Sequence, residues 1–122
     1  MLAQITILAL IAVAFAAPVE LEKRACPGVH IFGARETTAC PGYGSAGTVV
    51  NLILNAYPGS TAEAISYPAC GGQSSCGSVS YANSVAQGAT AVYNAVSAYA
   101  ATCPSTKLVL VGYSQVGPVR CA

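Results

Sequence analysis

The segment Gly112-Tyr113-Ser114-Gln115-Val116 closes an apolar run from Lys107 to Val111. A buried strand that runs into Gly-x-Ser-x-small presents a nucleophilic serine on a tight turn. The hydroxyl stands clear of the sheet, and backbone N–H groups lie beside it for an oxyanion. Gly112 meets the first small position, whereas Val116, β-branched and bulky, stands where Gly is usual. A serine hydroxyl needs a base, commonly a histidine held by a carboxylate. The one histidine, His30, lies inside an apolar strand candidate between Val29 and Ile31, so sheet packing is its expected role. Glu36 and Glu63 precede the serine and are poor candidates for an orienting acid. No Asp, Glu or His follows Ser114. The chemistry indicated is acyl transfer through Ser114, and the chain in this form is expected to be unable to complete it.

The elements that must position this serine alternate. Val29 to Ala34 reads as a strand, followed by a loop with Pro41, Gly42 and Gly44. Ser45 is placed to cap a helix reaching Tyr57, with Val49, Leu52, Ile53 and Ala56 as its inward stripe. Pro58-Gly59 stops that helix. Thr61 to Tyr67 reads as a second strand, and Pro68 to Gly77 as a loop. Ser80 to Ala101 reads as a long helix with Tyr81, Val85, Gly88, Val92, Val96 and Tyr99 on one face. Gly88 weakens it by about 1 kcal/mol relative to Ala. Lys107 to Gly112 is a third strand, apolar throughout as if buried on both faces. Strand and helix in alternation argue for βαβ units and a parallel sheet with helices on its faces.

Two further motifs compete for function. Arg35-Glu36-Thr37-Thr38 follows the first strand, where a hydrolase sheet takes its second oxyanion N–H; alternatively Arg35 and Glu36 form a solvated pair. Gly42-Tyr43-Gly44-Ser45-Ala46-Gly47 matches Gly-x-Gly-x-x-Gly, with Glu63 about twenty residues on. The fingerprint belongs in the immediate strand-to-helix turn, and here a loop intervenes. A glycine loop leading into a helix is the better reading.

Composition narrows the setting. Residues 1–17 carry an apolar core from Ile5 to Phe15 and small residues at Ala16-Ala17, a secretory signal peptide. Residues 18–24 end in Lys23-Arg24 and read as a pro-peptide, leaving 25–122 as the mature chain. The mature part has Arg35, Lys107 and Arg120 against Glu36 and Glu63, with no basic stripe. Nucleic acid and anionic membrane are unexpected partners, and a monomer that meets neutral polymers outside the cell is expected. Six cysteines in a short secreted chain point to disulfides. Cys70 and Cys76 flank a short turn and could close it, Cys26 and Cys103 could tie the start of the chain to a helix end, and Cys40 and Cys121 are left over. No Cys-x-x-Cys pair is present and His30 is the only histidine, so no metal is expected; no other cofactor is expected either.

Several segments resemble the fungal acetylxylan esterases of the cutinase-like family (carbohydrate esterase family 5). They are Cys26-Pro27-x-x-His30-x-Phe32-Gly33-Ala34-Arg35-Glu36-Thr37-Thr38, Pro41-Gly42-Tyr43-Gly44-Ser45, Ala56-Tyr57-Pro58-Gly59-Ser60, Tyr67-Pro68-Ala69-Cys70-Gly71-Gly72-Gln73-Ser74-Ser75-Cys76, and Val109-Leu110-Val111-Gly112-Tyr113-Ser114-Gln115. The resemblance runs from Cys26 to Gln115. It implies a cutinase-like α/β-hydrolase sandwich around a central parallel sheet, incomplete in its C-terminal half. It implies Ser114 as nucleophile, with Thr37 and Gln115 as the oxyanion hole. It also implies disulfides Cys26–Cys103 and Cys70–Cys76, and a metal-free hydrolysis of acetyl esters on xylan. Cutin polyester is the alternative substrate, and a non-catalytic secreted fragment the alternative role. The resemblance stops after Gln115, as intron read-through, a frameshift or a fragment would produce.

Overall fold

The computed structural model describes residues 26–113. Its elements are β1 (Val29–Ala34), α1 (Gly47–Ala56), β2 (Thr61–Ala64), α2 (Tyr81–Thr102) and β3 (Lys107–Gly112), with 3₁₀ turns at Gly44–Ala46 and Ser74–Cys76. The three strands form one parallel sheet in the order β2-β1-β3. The fold is therefore a partial α/β architecture, as the alternation of elements requires.

β1 is the spine. Ile31 and Phe32 are fully buried, and alternation along the strand sends them to opposite faces. On one face Gly33 leaves room for Tyr43 and for Val50 of α1; a Cβ at Gly33 would collide with the Tyr43 ring and lie 3.2 Å from Val50 Cγ2. On the other face Tyr99 of α2 stacks on His30, with ring centroids 3.9 Å apart, and stands edge-on to Phe32 at 5.8 Å. Helices thus cover both faces of β1.

The first and third strands of the sequence reading, β1 and β3, have the expected bounds, but several details differ. Ser45 is not a helix cap. It lies in the 3₁₀ turn, and Ala46 occupies the cap position without a side-chain bond. The inward residues of α1 are Val50, Ile53 and Leu54, whereas Val49 and Leu52 are exposed. β2 ends at Ala64 rather than Tyr67. Ser80 caps α2 by accepting the Asn83 N–H at 3.1 Å. The inward face of α2 starts at Ser84 and Gly88, leaving Tyr81 and Val85 exposed. β3 is not buried on both faces, since Leu110 is 57 % exposed.

Two disulfides pin the layers. Cys26–Cys103 joins the approach to β1 to the end of α2, and Cys70–Cys76 closes a short loop. Beside the first, the Thr106 hydroxyl donates to the Pro27 carbonyl at 2.7 Å and Lys107 N–H to Gly28 at 3.0 Å. Cys40 is disulfide-bonded as well. The signal and pro-peptide segments and Cys121 lie outside the described residues.

Candidate active site

In a parallel sheet, loops leaving the carboxyl ends of adjacent strands meet at one edge, where α/β proteins bind ligands. Ala34, the last residue of β1, pairs with Gly112, the last of β3. Adjacent strands lie about 4.8 Å apart, so the Arg35–Ala39 loop begins beside exposed Tyr113. Ser114 and Gln115 lie outside the described residues. The described residues form the platform on the β1 side.

That loop is held by side-chain and backbone hydrogen bonds at both ends. The Arg35 guanidinium donates from Nε to the Ala39 carbonyl at 3.0 Å, and from Nη2 to the carbonyls of Tyr67 at 2.8 Å and Pro68 at 3.3 Å. It also sits 5.4 Å from the Tyr67 ring centroid. The Tyr67 hydroxyl donates back to the Arg35 carbonyl. Ala39 N–H donates to the Glu36 carbonyl at 3.2 Å, and Thr38 N–H to Ala69 at 2.7 Å. Thr38 and Ala69, joined by this bond, both adopt left-handed backbone, φ 70° and 48°. Such strain in residues with a Cβ is held only by a surrounding structure that over-determines it.

Thr37 is not tied in this way. Among the described residues neither its N–H nor its hydroxyl has a hydrogen-bond partner, although the residue is only 9 % exposed. An unspent backbone donor in so buried a residue is rare and calls for an explanation. Its methyl faces the disulfide loop, where a Cβ on Gly71 would lie 3.4 Å from Thr37 Cγ2. That loop is anchored to α2 by Cys70 N–H donating to the Ser84 hydroxyl at 2.9 Å.

Glu36 is neither a solvated partner of Arg35 nor free to act as an acid. It is 3 % exposed, and its carboxylate accepts the Ser45 N–H and hydroxyl, each at 2.8 Å. Gly44 (φ 56°) makes this possible, because any Cβ there would overlap the carboxylate. The formal dinucleotide motif is thus a cradle for the chain's own carboxylate. Burial raises the Glu36 pKa, but its own backbone and the two Ser45 donors outweigh that and hold it below the usual value. Burial, assisted by Glu36 and Tyr81, outweighs the Arg35 guanidinium and leaves the Tyr67 phenol above its usual value.

His30 packs in the sheet, as expected. It is 4 % exposed, with Nδ1 against the Thr61 hydroxyl and Nε2 3.3 Å from Glu63. Four residue steps along the strand separate it from Ala34, about 13 Å at 3.3 Å per step. Among the described residues no cluster suits a metal ion, and no helix is long and apolar enough to cross a membrane. The sequence reading missed Arg35, Tyr67 and Ser84 as supports. Ser84 alone left a signal, a polar residue beside the apolar face of a helix.

The chain is 68% identical over 108 residues to acetylxylan esterase 2 of Talaromyces purpureogenus, covering 87% of this chain and 46% of that protein. It is 69% identical over 99 residues to cutinase 11 of Verticillium dahliae, covering 81% and 34%. It thus spans less than half the length of these relatives. Among solved structures, an acetylxylan esterase superposes with TM-score 0.72 at 72% identity, over 73% of this chain and 43% of that one. The catalytic core of the Trichoderma reesei enzyme gives TM-score 0.72 at 62% identity over the same shares. The cutinase family model matches residues 25–120, and the chain belongs to the cutinase family.

Proposed function

We propose that the chain carries the nucleophile-bearing part of a secreted serine esterase that removes acetyl groups from xylan. The observation that carries this reading is the Thr37 N–H, which no described residue accepts, in the loop that leaves β1 beside the end of β3 at Gly112. Ser114 Oγ attacks the acetyl carbonyl, and the carbonyl oxygen takes up the negative charge. Thr37 N–H, its hydroxyl and Gln115 N–H donate to that oxygen, a type of stabilisation worth about 3–4 kcal/mol per donor. The tetrahedral species expels the sugar hydroxyl, leaving acetyl-Ser114, which water hydrolyses to acetate. The base that takes the serine proton is not among the described residues, since both His30 ring nitrogens are engaged elsewhere. Secretion is supported by the residue 1–17 pattern and the disulfides. The protein acts as a monomer.

Two relatives are named for acetylxylan, but cutinase 11 is as similar, which favours cutin polyester as a second reading. The test measures acetate released from acetylated xylan and hydroxy acids released from cutin, using the full-length protein and its S114A and T37A variants. Acetate release abolished by S114A and reduced by T37A is the expected result. Release that survives S114A rules out the serine mechanism, and cutin as the sole substrate reverses the specificity.

A further inference from the structure

We infer that Arg35 and Tyr67 form a clasp that positions the Thr37 N–H for the oxyanion, a role resting on the esterase reading above. Arg35 spans the whole loop. From one end of the Arg35–Ala39 segment its guanidinium reaches the carbonyl at the other end, Ala39, and then crosses to Tyr67 and Pro68. Tyr67 closes the circuit by donating its hydroxyl to the Arg35 carbonyl, with its ring beneath the guanidinium. Residues 35, 39, 67 and 68 are thereby locked together, and Thr37 is held midway between two tied ends.

The planar fork matters, because Nε and Nη2 serve acceptors in different directions at the same time. A lysine supplies the charge but not that geometry. The clasp is backed by α2, since a Cβ at Gly88 would lie 2.8 Å from Tyr67 Cδ2, so the ring rests directly on the helix backbone. The left-handed Thr38 and Ala69 are the strained joint that the clasp holds in place. Neither Arg35 nor Tyr67 touches the reacting atoms in this scheme. Both are positioning residues, and a displacement of about 1 Å in such a donor is enough to lower a rate by up to about 100-fold.

The experiment compares R35K, R35A and Y67F in the full-length protein, with S114A as the reference for the underlying mechanism and H30N as a destabilised control at the far end of the sheet. Acetyl-ester hydrolysis and thermal midpoint are measured for each. The expected result is a kcat reduced about 10-fold or more in R35K and about 3-fold or more in Y67F, with KM within about 2-fold of the parent. R35A falls further than R35K, and H30N loses stability but keeps its kcat. Parent-like kcat in both R35K and Y67F overturns the clasp. So does a loss of kcat in H30N matching theirs at equal loss of midpoint, which would mark a purely structural effect. Hydrolysis that survives S114A removes the esterase reading, and the clasp with it. Activity lost in S114A but not in R35K or Y67F removes the clasp alone.

Discussion

The two disulfides described here enclose very different lengths of chain, and that difference separates stability from positioning. Cys26 and Cys103 are 77 residues apart, and Cys70 and Cys76 only 6. On the chain-entropy model, the first removes about 4.5 kcal/mol of unfolded-state entropy at 25 °C and the second about 2.2 kcal/mol. The long bridge lies at the far end of the sheet from Thr37, near Gly28 and Lys107. The short one closes the loop whose Gly71 faces Thr37, next to the Ala69 carbonyl that holds Thr38. The paired variants C26S/C103S and C70S/C76S are therefore expected to diverge in opposite senses. With a urea m-value of about 2 kcal/mol/M, losing the long bridge moves the midpoint down by about 2 M and losing the short one by about 1 M. In the protein that remains folded, kcat for acetyl-ester hydrolysis stays near parental in C26S/C103S and drops about 10-fold or more in C70S/C76S. Urea unfolding, with activity assayed well below each midpoint, reads both quantities. A larger stability loss from the short bridge refutes the entropic reasoning, and unchanged kcat in C70S/C76S refutes the positioning role of its loop.

Glu36→Gln keeps one acceptor for Ser45 but removes the charge, and is expected to cost about 1–3 kcal/mol at pH 7 by urea unfolding. The folded-state pKa of Glu36 is depressed, so its stabilisation is complete above the unfolded value of about 4.3 and is lost as pH falls through the lower folded value. The gap between parent and E36Q should therefore shrink below about pH 4, and a gap constant from pH 7 to 3 would refute this. Gly88→Ala sets two effects against each other. Helix propensity gains about 1 kcal/mol, but the new Cβ, 2.8 Å from Tyr67, costs about 1–3 kcal/mol of overpacking. The expected outcome is no net stabilisation together with a lower kcat, and a stabilised variant with full activity would show that Tyr67 yields freely.

Two of the three strands were legible because their boundaries are local. β1 and β3 are short apolar runs closed by turn residues, and Ser80 is a cap that the helix needs whatever surrounds it. The inward face of α1 was not legible for a reason of composition. Val49, Val50, Leu52, Ile53 and Leu54 are nearly continuous apolar sequence, so several helical stripes score alike and only contact with the sheet decides among them. Gly88 was readable as a weakness in α2 but not as a seat for Tyr67, because that contact joins residues 21 apart across two elements. The glycine motif at 42–47 misleads in the same way. Its local pattern suits a phosphate, and the anion it receives is Glu36, eight residues before Gly44 in the same chain.

The use of charge explains why the site is built as it is. Only four charged side chains, Arg35, Glu36, Glu63 and Lys107, occur among the described residues. Two of them are adjacent, immediately before Thr37, and both act on backbone groups rather than on solvent. Arg35 binds carbonyls on either side of the loop, and Glu36 anchors the 3₁₀ turn that precedes α1. Charge-assisted bonds are about twice as strong as neutral ones and demand narrower geometry. Placed in series here, they fix a segment that would otherwise be a flexible loop. They also consume the competing acceptors, so that no carbonyl or carboxylate of the described residues takes up the Thr37 N–H. On the esterase reading proposed above, the Thr37 N–H gains its partner only when the oxyanion forms, which favours the transition state over the ground state.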